Sequence, residues 1–308
     1  MAPKRDVAAR RTVKKFTLSD EKVTTIMGLI PQLRGNALTI RPLRGGLTNH
    51  NYLVTSKGQR FVLRIAGENS ALLGINRHVE HSCARHAFQV GIGPEVVAFL
   101  PEHRAMLTRF VPGRPLLSRD LHSPAVMHRL VRAIRTYHES SAAEGAFEPF
   151  KTIRRYYLEA KKRKAPFPST MTQAFGALEH IENKIEAPEF LHNCHNDLLR
   201  SNFVHHRNSV WILDWEYSGR GDLFFDLGNL AANNLFSHEQ EVTLLRFYFG
   251  EARASALQRL RLMRLVSEMR EATWGFLQTR ISTLNIDYLS YARLHLGRFL
   301  KGLGRTKS

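Results

Sequence analysis

The first third of the chain alternates apolar and polar positions, whereas most of the remainder places apolar residues at helical spacing. At 59–66 the side chains of Phe61, Leu63 and Ile65 share one face, which predicts a strand. Residues 1–18 show little apolar periodicity, and we expect a basic disordered tail there. Further strands are predicted at 38–43, 52–55, 96–100 and 105–110, and helices at 17–33, 76–90, 124–139, 153–164, 171–185, 238–250, 254–279 and 286–301.

Two short apolar runs, at 202–205 and 209–215, are separated by an Arg-Asn pair and predict a β-hairpin. This hairpin carries Asn202 at the start of one strand and Asp214 at the end of the other, so that both side chains can converge on one cation. Asp197 precedes the hairpin on a loop. A carboxylate that positions a hydroxyl group, beside an amide and a second carboxylate that hold Mg²⁺, is a layout suited to phosphoryl transfer.

Three motifs follow one another within this region. Residues 195–197 read H-N-D and Asn202 follows after four more residues, which is the spacing of the protein-kinase catalytic loop with Asn in place of Arg. Residues 214–218 read D-W-E-Y-S, and 225–229 read F-D-L-G-N. Over about residues 38–299 the chain resembles the choline/ethanolamine kinase family, within the kinase-like aminoglycoside phosphotransferase superfamily.

The resemblance implies a protein-kinase-like, two-lobed α+β fold. A small lobe with an antiparallel sheet is expected at 20–110, and a larger, mainly helical lobe at 114–304. The implied reaction is ATP-dependent phosphorylation of the hydroxyl group of a small amino alcohol, with choline or ethanolamine as the leading acceptor. ATP and Mg²⁺ are the implied cofactors.

Catalytic roles follow from the same resemblance. Asp197 is expected to accept a proton from the acceptor hydroxyl or to orient it, and His195 to orient the catalytic loop. Asp226 is expected to brace that loop. The expected metal ligands are Asn202, Asp214 and Glu216.

The nucleotide site is expected in the N-terminal lobe. Residues 45–52 resemble the nucleotide-covering loop G-G-L-[ST]-N-x-x-[YF], where glycine lets backbone amides approach a phosphate. Arg64 takes the place of the kinase strand lysine, and Glu80 is its expected partner. Residues 109–113 resemble the hinge that reads adenine, although Arg109 replaces the usual acidic residue. The expected nucleotide-binding residues are Gly45, Gly46, Thr48, Asn49, Arg64, Glu80, Arg109 and Val111.

An aromatic cage is expected at the acceptor site, because ring faces attract a quaternary ammonium group. The family patterns W-x(3)-Q-x-x-I-S and Y-x-x-Y-A match at 274–282 and 288–292, although aromatic residues at helical spacing are also typical of a core. The expected substrate residues are Tyr217, Trp274, Tyr288 and Tyr291. No carboxylate closely follows 225–229, where many choline kinases neutralise the amine. The carboxylates that can replace it are Glu216, Glu268 and Glu271.

The net charge of +18 and the isoelectric point near 10.4 raise the question of nucleic-acid binding. The basic segments at 4–15, 151–164 and 298–307 carry no recognisable nucleic-acid motif, and a positive molecule also attracts an anionic nucleotide. Two cysteines without CxxC spacing indicate neither a disulfide framework nor a zinc site. No apolar run approaches the length of a membrane span, and we expect a cytoplasmic protein.

Two other interpretations stay open. The acceptor can instead be an aminoglycoside or thiamine. An aminoglycoside antibiotic needs an acidic pocket, however, and this basic chain does not indicate one. The chain can also be a non-catalytic protein that binds nucleotides or nucleic acid, but intact Asp197, Asn202 and Asp214 argue against this. A small-molecule acceptor is the expected partner, and a homodimer is left open.

Overall fold

The computed structural model describes residues 20–43, 49–141 and 143–304. Its N-terminal part contains a five-stranded antiparallel sheet in the spatial order β1-β2-β3-β5-β4. The strands are β1 (Leu38–Pro42), β2 (Asn49–Ser56), β3 (Gln59–Ala66), β4 (Val96–Leu100) and β5 (Ala105–Arg109). Two helices accompany the sheet, α1 (Asp20–Leu29) and α2 (Arg77–Gln89).

Strand β3 shows how alternation positions the site. Phe61, Leu63 and Ile65 are buried in a core shared with α1. Val62 and Arg64 point to the opposite face, because successive side chains of a strand alternate, and they line a cleft between the sheet and the helices.

The chain becomes mainly helical beyond residues 110–113. Its helices are α3 (Pro124–His138), α4 (Pro149–Lys162), α5 (Met171–Lys184), α6 (Leu223–Asn233), α7 (His238–Phe249), α8 (Ala254–Ile281) and α9 (Tyr288–Leu303). Helix α8 is the centre of this region: it packs against α4, α6 and α9, and every residue from 265 to 278 is buried. A helix buried on all sides is expected to be apolar, so the charged residues in this stretch point to a site.

Two small sheets hold the catalytic segment against these helices. Strand β8 (Phe203–His206) pairs with β9 (Ser209–Ile212) and with β6 (Arg114–Pro115). Strand β7 (His192–Cys194) pairs with β10 (Gly219–Gly221). The predicted hairpin is therefore present, with Arg207-Asn208 at its turn.

The sequence prediction agrees with the structure for the five-stranded sheet and for most helices, and the predicted kinase-like α+β fold is confirmed. It missed β6, β7 and β10, which are two or three residues long, and it did not recognise α6 as a helix. Helix α1 is shorter than the predicted 17–33, and the expected tail lies outside the described residues. Within the described ranges, no helix is both long enough and apolar enough to cross a membrane.

Candidate active site

A cleft of about 560 Å³ lies between the sheet and the helical region. Its lining includes most of the residues expected to bind nucleotide, metal or acceptor: Arg64, Arg109, Val111, Asp197, Asn202, Asp214, Glu216, Tyr217, Trp274 and Tyr291. Gly45, Gly46 and Thr48 lie outside the described residues. A more open groove of about 770 Å³ beside α8, around Phe249 and Arg259, contains none of the expected residues.

The catalytic loop is held by helix α6. The Asp226 carboxylate accepts hydrogen bonds from the backbone N–H groups of His195 (2.7 Å) and Asn196 (2.5 Å), and it also contacts His138 Nε2 (2.9 Å). Asn196 has a φ of 64°, a conformation that asparagine tolerates better than most residues. One turn after Asp226, Asn229 accepts the N–H of Leu198 at 2.6 Å. Asp226 therefore braces the loop, as predicted. The F-D-x-G-N spacing places Asp226 and Asn229 one turn apart on α6, where both side chains accept hydrogen bonds from the loop.

His195 supports the same loop. Its Nδ1 accepts the backbone N–H of Asp197 at 3.2 Å, so Nε2 carries the proton and donates to the Leu213 carbonyl at 2.9 Å. Burial lowers the pKa of His195, which favours this neutral form. The imidazole thus connects the catalytic loop to the residue that precedes Asp214.

The expected metal ligands surround the end of the hairpin. The Nδ2 of Asn202 donates to the Asp197 carbonyl at 2.9 Å, which leaves the amide oxygen as its available ligand atom. Asp214 has a φ of 68° and its Oδ1 pairs with Arg64. Burial, reinforced by neighbouring Glu216, raises the pKa of Asp214 to about 6. An amide oxygen beside two carboxylates is a donor set that fits Mg²⁺.

The charged residues of α2 and β3 form one network with these carboxylates. Arg64 pairs with Glu80, as predicted. Arg77, which the sequence analysis did not select, contacts Glu80 at 2.6 Å and Glu216 at 3.1 Å. Burial raises the pKa of Glu216, but the charges of Arg77 and Arg64 outweigh it and leave the pKa below its ordinary value. Asn49 Nδ2 also donates to Glu216, at 3.0 Å. The spacing of Arg77 and Glu80, three residues apart on a predicted helix, was the available signal.

The side chain of Arg109 contacts residues of the N-terminal sheet region. Its Nε pairs with Glu95 at 3.1 Å, and its guanidinium carbon lies 4.9 Å from the centre of the Phe61 ring. A basic residue therefore stands at this hinge position because a neighbouring glutamate neutralises it. Whether the hinge backbone reads adenine stays a prediction.

The acceptor end of the cleft contains fewer ring faces than expected. Trp274 and Tyr291 line it, with their ring centres 5.7 Å apart and their planes inclined at 68°. Tyr217 also lines the cleft, but one face of its ring is occupied by Arg270. Tyr288 does not line it: its ring packs against Trp274 and its hydroxyl contacts Ser282 Oγ at 3.0 Å. Helices α8 and α9 approach closely here, since a Cβ on Gly275 would lie only 2.9 Å from that of Ala292.

Arg270 is the main residue that the sequence analysis missed. It is only 1% exposed, and its Nη1 donates to Asp197 Oδ1 at 2.9 Å and to Glu271 Oε1 at 2.6 Å. Its guanidinium carbon lies 4.5 Å from the centre of the Tyr217 ring. The sequence signal was a group of charged residues, Glu268, Arg270 and Glu271, inside an otherwise apolar stretch.

The charges around Asp197 oppose one another. Burial raises the pKa of Asp197 to about 7, although Arg270 acts in the opposite direction. Burial alone lowers the pKa of Arg270, but Glu271 and Asp197 raise it well above its ordinary value. The arginine is therefore a permanent cation between two carboxylates.

Comparison with known proteins agrees with this geometry. A model of the choline/ethanolamine kinase family matches residues 40–246, more than half of the chain. Protein LicA of Haemophilus influenzae is 28% identical over 214 residues, which cover 67% of this chain but only 62% of that relative, less than two thirds of its length.

Solved structures extend the comparison to the fold. A crystal structure of a choline/ethanolamine kinase family protein from Mesorhizobium loti has a TM-score of 0.78 at 29% identity, and the match covers 92% of this chain and 94% of the other. Spectinomycin phosphotransferase shares the fold at a TM-score of 0.58 and 16% identity, with coverage of 90% and 93%. Since the family model spans most of the chain and the fold agrees, this chain belongs to the choline/ethanolamine kinase family, a family of small-molecule kinases.

Proposed function

We propose that the protein transfers the γ-phosphoryl group of ATP to the hydroxyl group of a small amino alcohol, with choline and ethanolamine as the leading acceptors. The observation that carries this proposal is the position of Asp197. It lines one cleft together with Arg64 and Asp214 on one side and with Trp274 and Tyr291 on the other. The family description supports the acceptor class.

Asp197 is proposed to position the acceptor hydroxyl and to take its proton as the phosphoryl group is transferred. The loop that carries it is fixed by Asp226 and His195, and Arg270 holds one carboxylate oxygen. The acceptor hydroxyl is therefore expected to approach the second oxygen, Oδ2. A carboxylate held in advance lowers the cost of reaching the reactive geometry.

The nucleotide phosphates are proposed to lie against Arg64, whose fork is oriented by Glu80. Asn202 and Asp214 are proposed to hold Mg²⁺, with Glu216 adjacent; when bound, the ion neutralises charge on the phosphates. The hinge at 109–111 is proposed to contact the nucleotide, and the expected nucleotide-binding role of Gly45, Gly46 and Thr48 stays a prediction. A cytoplasmic location and a homodimer stay predictions.

The test is ADP release by the purified protein in a coupled assay. The panel contains ethanolamine, choline, thiamine, an aminoglycoside and no acceptor, each with Mg²⁺ and with excess chelator. We expect Mg²⁺-dependent release with an amino alcohol that exceeds the rate without acceptor by at least about a hundredfold. Turnover only with the aminoglycoside, or no acceptor-dependent release at all, would contradict the proposal.

A further inference from the structure

The acceptor end of the cleft offers two of the four expected ring faces to a ligand. Tyr217 also lines the cleft, but the internal cation Arg270 lies over one face of its ring, at 4.5 Å from the ring centre. Tyr288 lies behind Trp274 and does not line the cleft. The rings of Trp274 and Tyr291 remain, and two rings inclined at 68° do not enclose a trimethylammonium group on all sides.

Three carboxylates were candidates to neutralise the acceptor amine, and the structure separates them. Glu268 is buried against His295, with 2.6 Å between Oε2 and Nδ1, and it does not line the cleft. Glu216 belongs to the nucleotide end, where it contacts Arg77. Glu271 lines the acceptor end beside the two remaining rings.

Both oxygens of Glu271 are held in place. Arg270 Nη1 donates to Oε1 at 2.6 Å, and the Tyr291 hydroxyl donates to Oε2 at 2.6 Å. Burial raises the pKa of Glu271, but Arg270 and His295 outweigh it and leave the pKa below its ordinary value. Burial and the nearby Glu271 charge raise the pKa of Tyr291, so its hydroxyl stays a donor. A carboxylate oxygen accepts two hydrogen bonds, so each oxygen retains capacity for a ligand.

We propose that Glu271, oriented by Arg270 and Tyr291, recognises the ammonium group of the acceptor, and that the site favours amines bearing N–H groups over quaternary amines. This inference rests on the proposed function of the cleft. A primary ammonium group donates charge-assisted hydrogen bonds to a fixed carboxylate. A trimethylammonium group donates none and depends on ring faces, of which one is already occupied by Arg270.

The first test uses the wild-type protein and four acceptors that differ only in methyl groups: ethanolamine, its N-methyl and N,N-dimethyl derivatives, and choline. We expect kcat/KM to fall as methyl groups are added, by about tenfold or more from first to last, which is the discrimination expected from one charge-assisted hydrogen bond. A flat series, or one that rises towards choline, would overturn this inference while leaving the kinase activity intact. No turnover with any of the four would instead count against the proposed function.

The second test changes the carboxylate. Glu271→Gln keeps the shape but removes the charge, and we expect kcat/KM for ethanolamine to fall about tenfold while that for choline falls less than about threefold. The KM for ATP should not change, because Glu271 lies at the other end of the cleft. Equal losses for both acceptors would show that Glu271 is structural.

A milder pair of variants keeps the test decisive if Glu271→Gln folds poorly. Tyr291→Phe removes the hydroxyl that holds Glu271 Oε2 but keeps the ring, and we expect about threefold lower kcat/KM for ethanolamine and a smaller loss for choline. The matched control is Tyr157→Phe on α4, whose ring packs against Phe167 and Phe175 away from the cleft. The control should change kcat/KM for neither acceptor. The inference fails if Tyr291→Phe leaves both values as unchanged as the control does.

Discussion

The two ends of the cleft were predicted from the same family resemblance, yet they differ in how far the structure follows the expectation. At the nucleotide end, Arg64 pairs with Glu80, as the family resemblance implied, and it also pairs with Asp214. At the acceptor end, the expected ring of aromatic faces is replaced in part by the ion pair of Arg270 and Glu271. A family motif that names both partners places a pair such as Arg64 and Glu80, whereas a pocket between two long helices depends on all of its neighbours.

Asp197 belongs to both ends. Its loop is fixed by α6, and its carboxylate is held by Arg270 from α8. A change at Asp197 should therefore affect the reaction with every acceptor, whereas a change at either end should affect one substrate more than the other.

The largest effect is expected for Asp197→Asn. The amide cannot take a proton from the acceptor, so turnover should fall by about three orders of magnitude or more with every acceptor, while ATP affinity changes little. Steady-state kinetics and calorimetric titration with Mg·ATP measure the two quantities. Near-normal turnover would remove Asp197 from its proposed role.

Asp214→Ala should act at the nucleotide end alone. Asn202 contributes no charge and Glu216 is already paired with Arg77, so the Mg²⁺-dependent part of nucleotide affinity should be lost, with at least about a hundredfold weaker Mg·ATP binding. Titration with Mg·ATP and with ATP in excess chelator separates the metal-dependent part. Unchanged Mg·ATP affinity would exclude Asp214 as a ligand.

Asp226→Asn should lower the stability of the fold and the activity with every acceptor. One carboxylate oxygen becomes an NH₂ group that faces donors, and an unsatisfied buried pair costs about 1–3 kcal/mol. We expect a lower thermal midpoint and about tenfold lower kcat that is the same for all acceptors. The ratio of activities with ethanolamine and choline should not move, and a shift in that ratio would mean that Asp226 also shapes the acceptor pocket.

Trp274→Leu should give the smallest effect, restricted to the acceptor end. Loss of one ring face costs about 1 kcal/mol, which corresponds to about a fivefold higher KM for the acceptor. The KM for ATP should stay constant. A fall in thermal midpoint with both KM values changed together would indicate that Trp274 serves mainly as a core residue.

The parts that the sequence predicted are those with local signals. Alternation defined β3 at its observed bounds, and the turn between 206 and 209 gave the hairpin that carries Asn202 and Asp214. Helix α6 was overlooked because it is short and buried on nearly every side, which hides the helical period. Arg77 was not selected: its spacing to Glu80 was the available local signal, but its contact with Glu216 joins residues 139 positions apart.

Arg270 could not be assigned from the pattern for a related reason. Within a helix that is buried all round, a charged residue has no solvent face to indicate its direction. Its partner Asp197 is 73 residues away in the sequence, and only packing against α6 brings them together. The charged residues could therefore mark this part of α8 as unusual, but they could not show that Arg270 contacts Asp197.

The close approach at Gly275 ties the spacing between α8 and α9 to the width of the pocket that is proposed to bind the acceptor. Because Tyr291 and Ala292 come within 3.1 Å of where a side chain would begin, even a single methyl group there would force α9 outward. That shift would move the ring of Tyr291 away from Trp274 and widen the pocket along its length. The range of head groups accepted by such a kinase can therefore drift in evolution through a residue that touches no substrate.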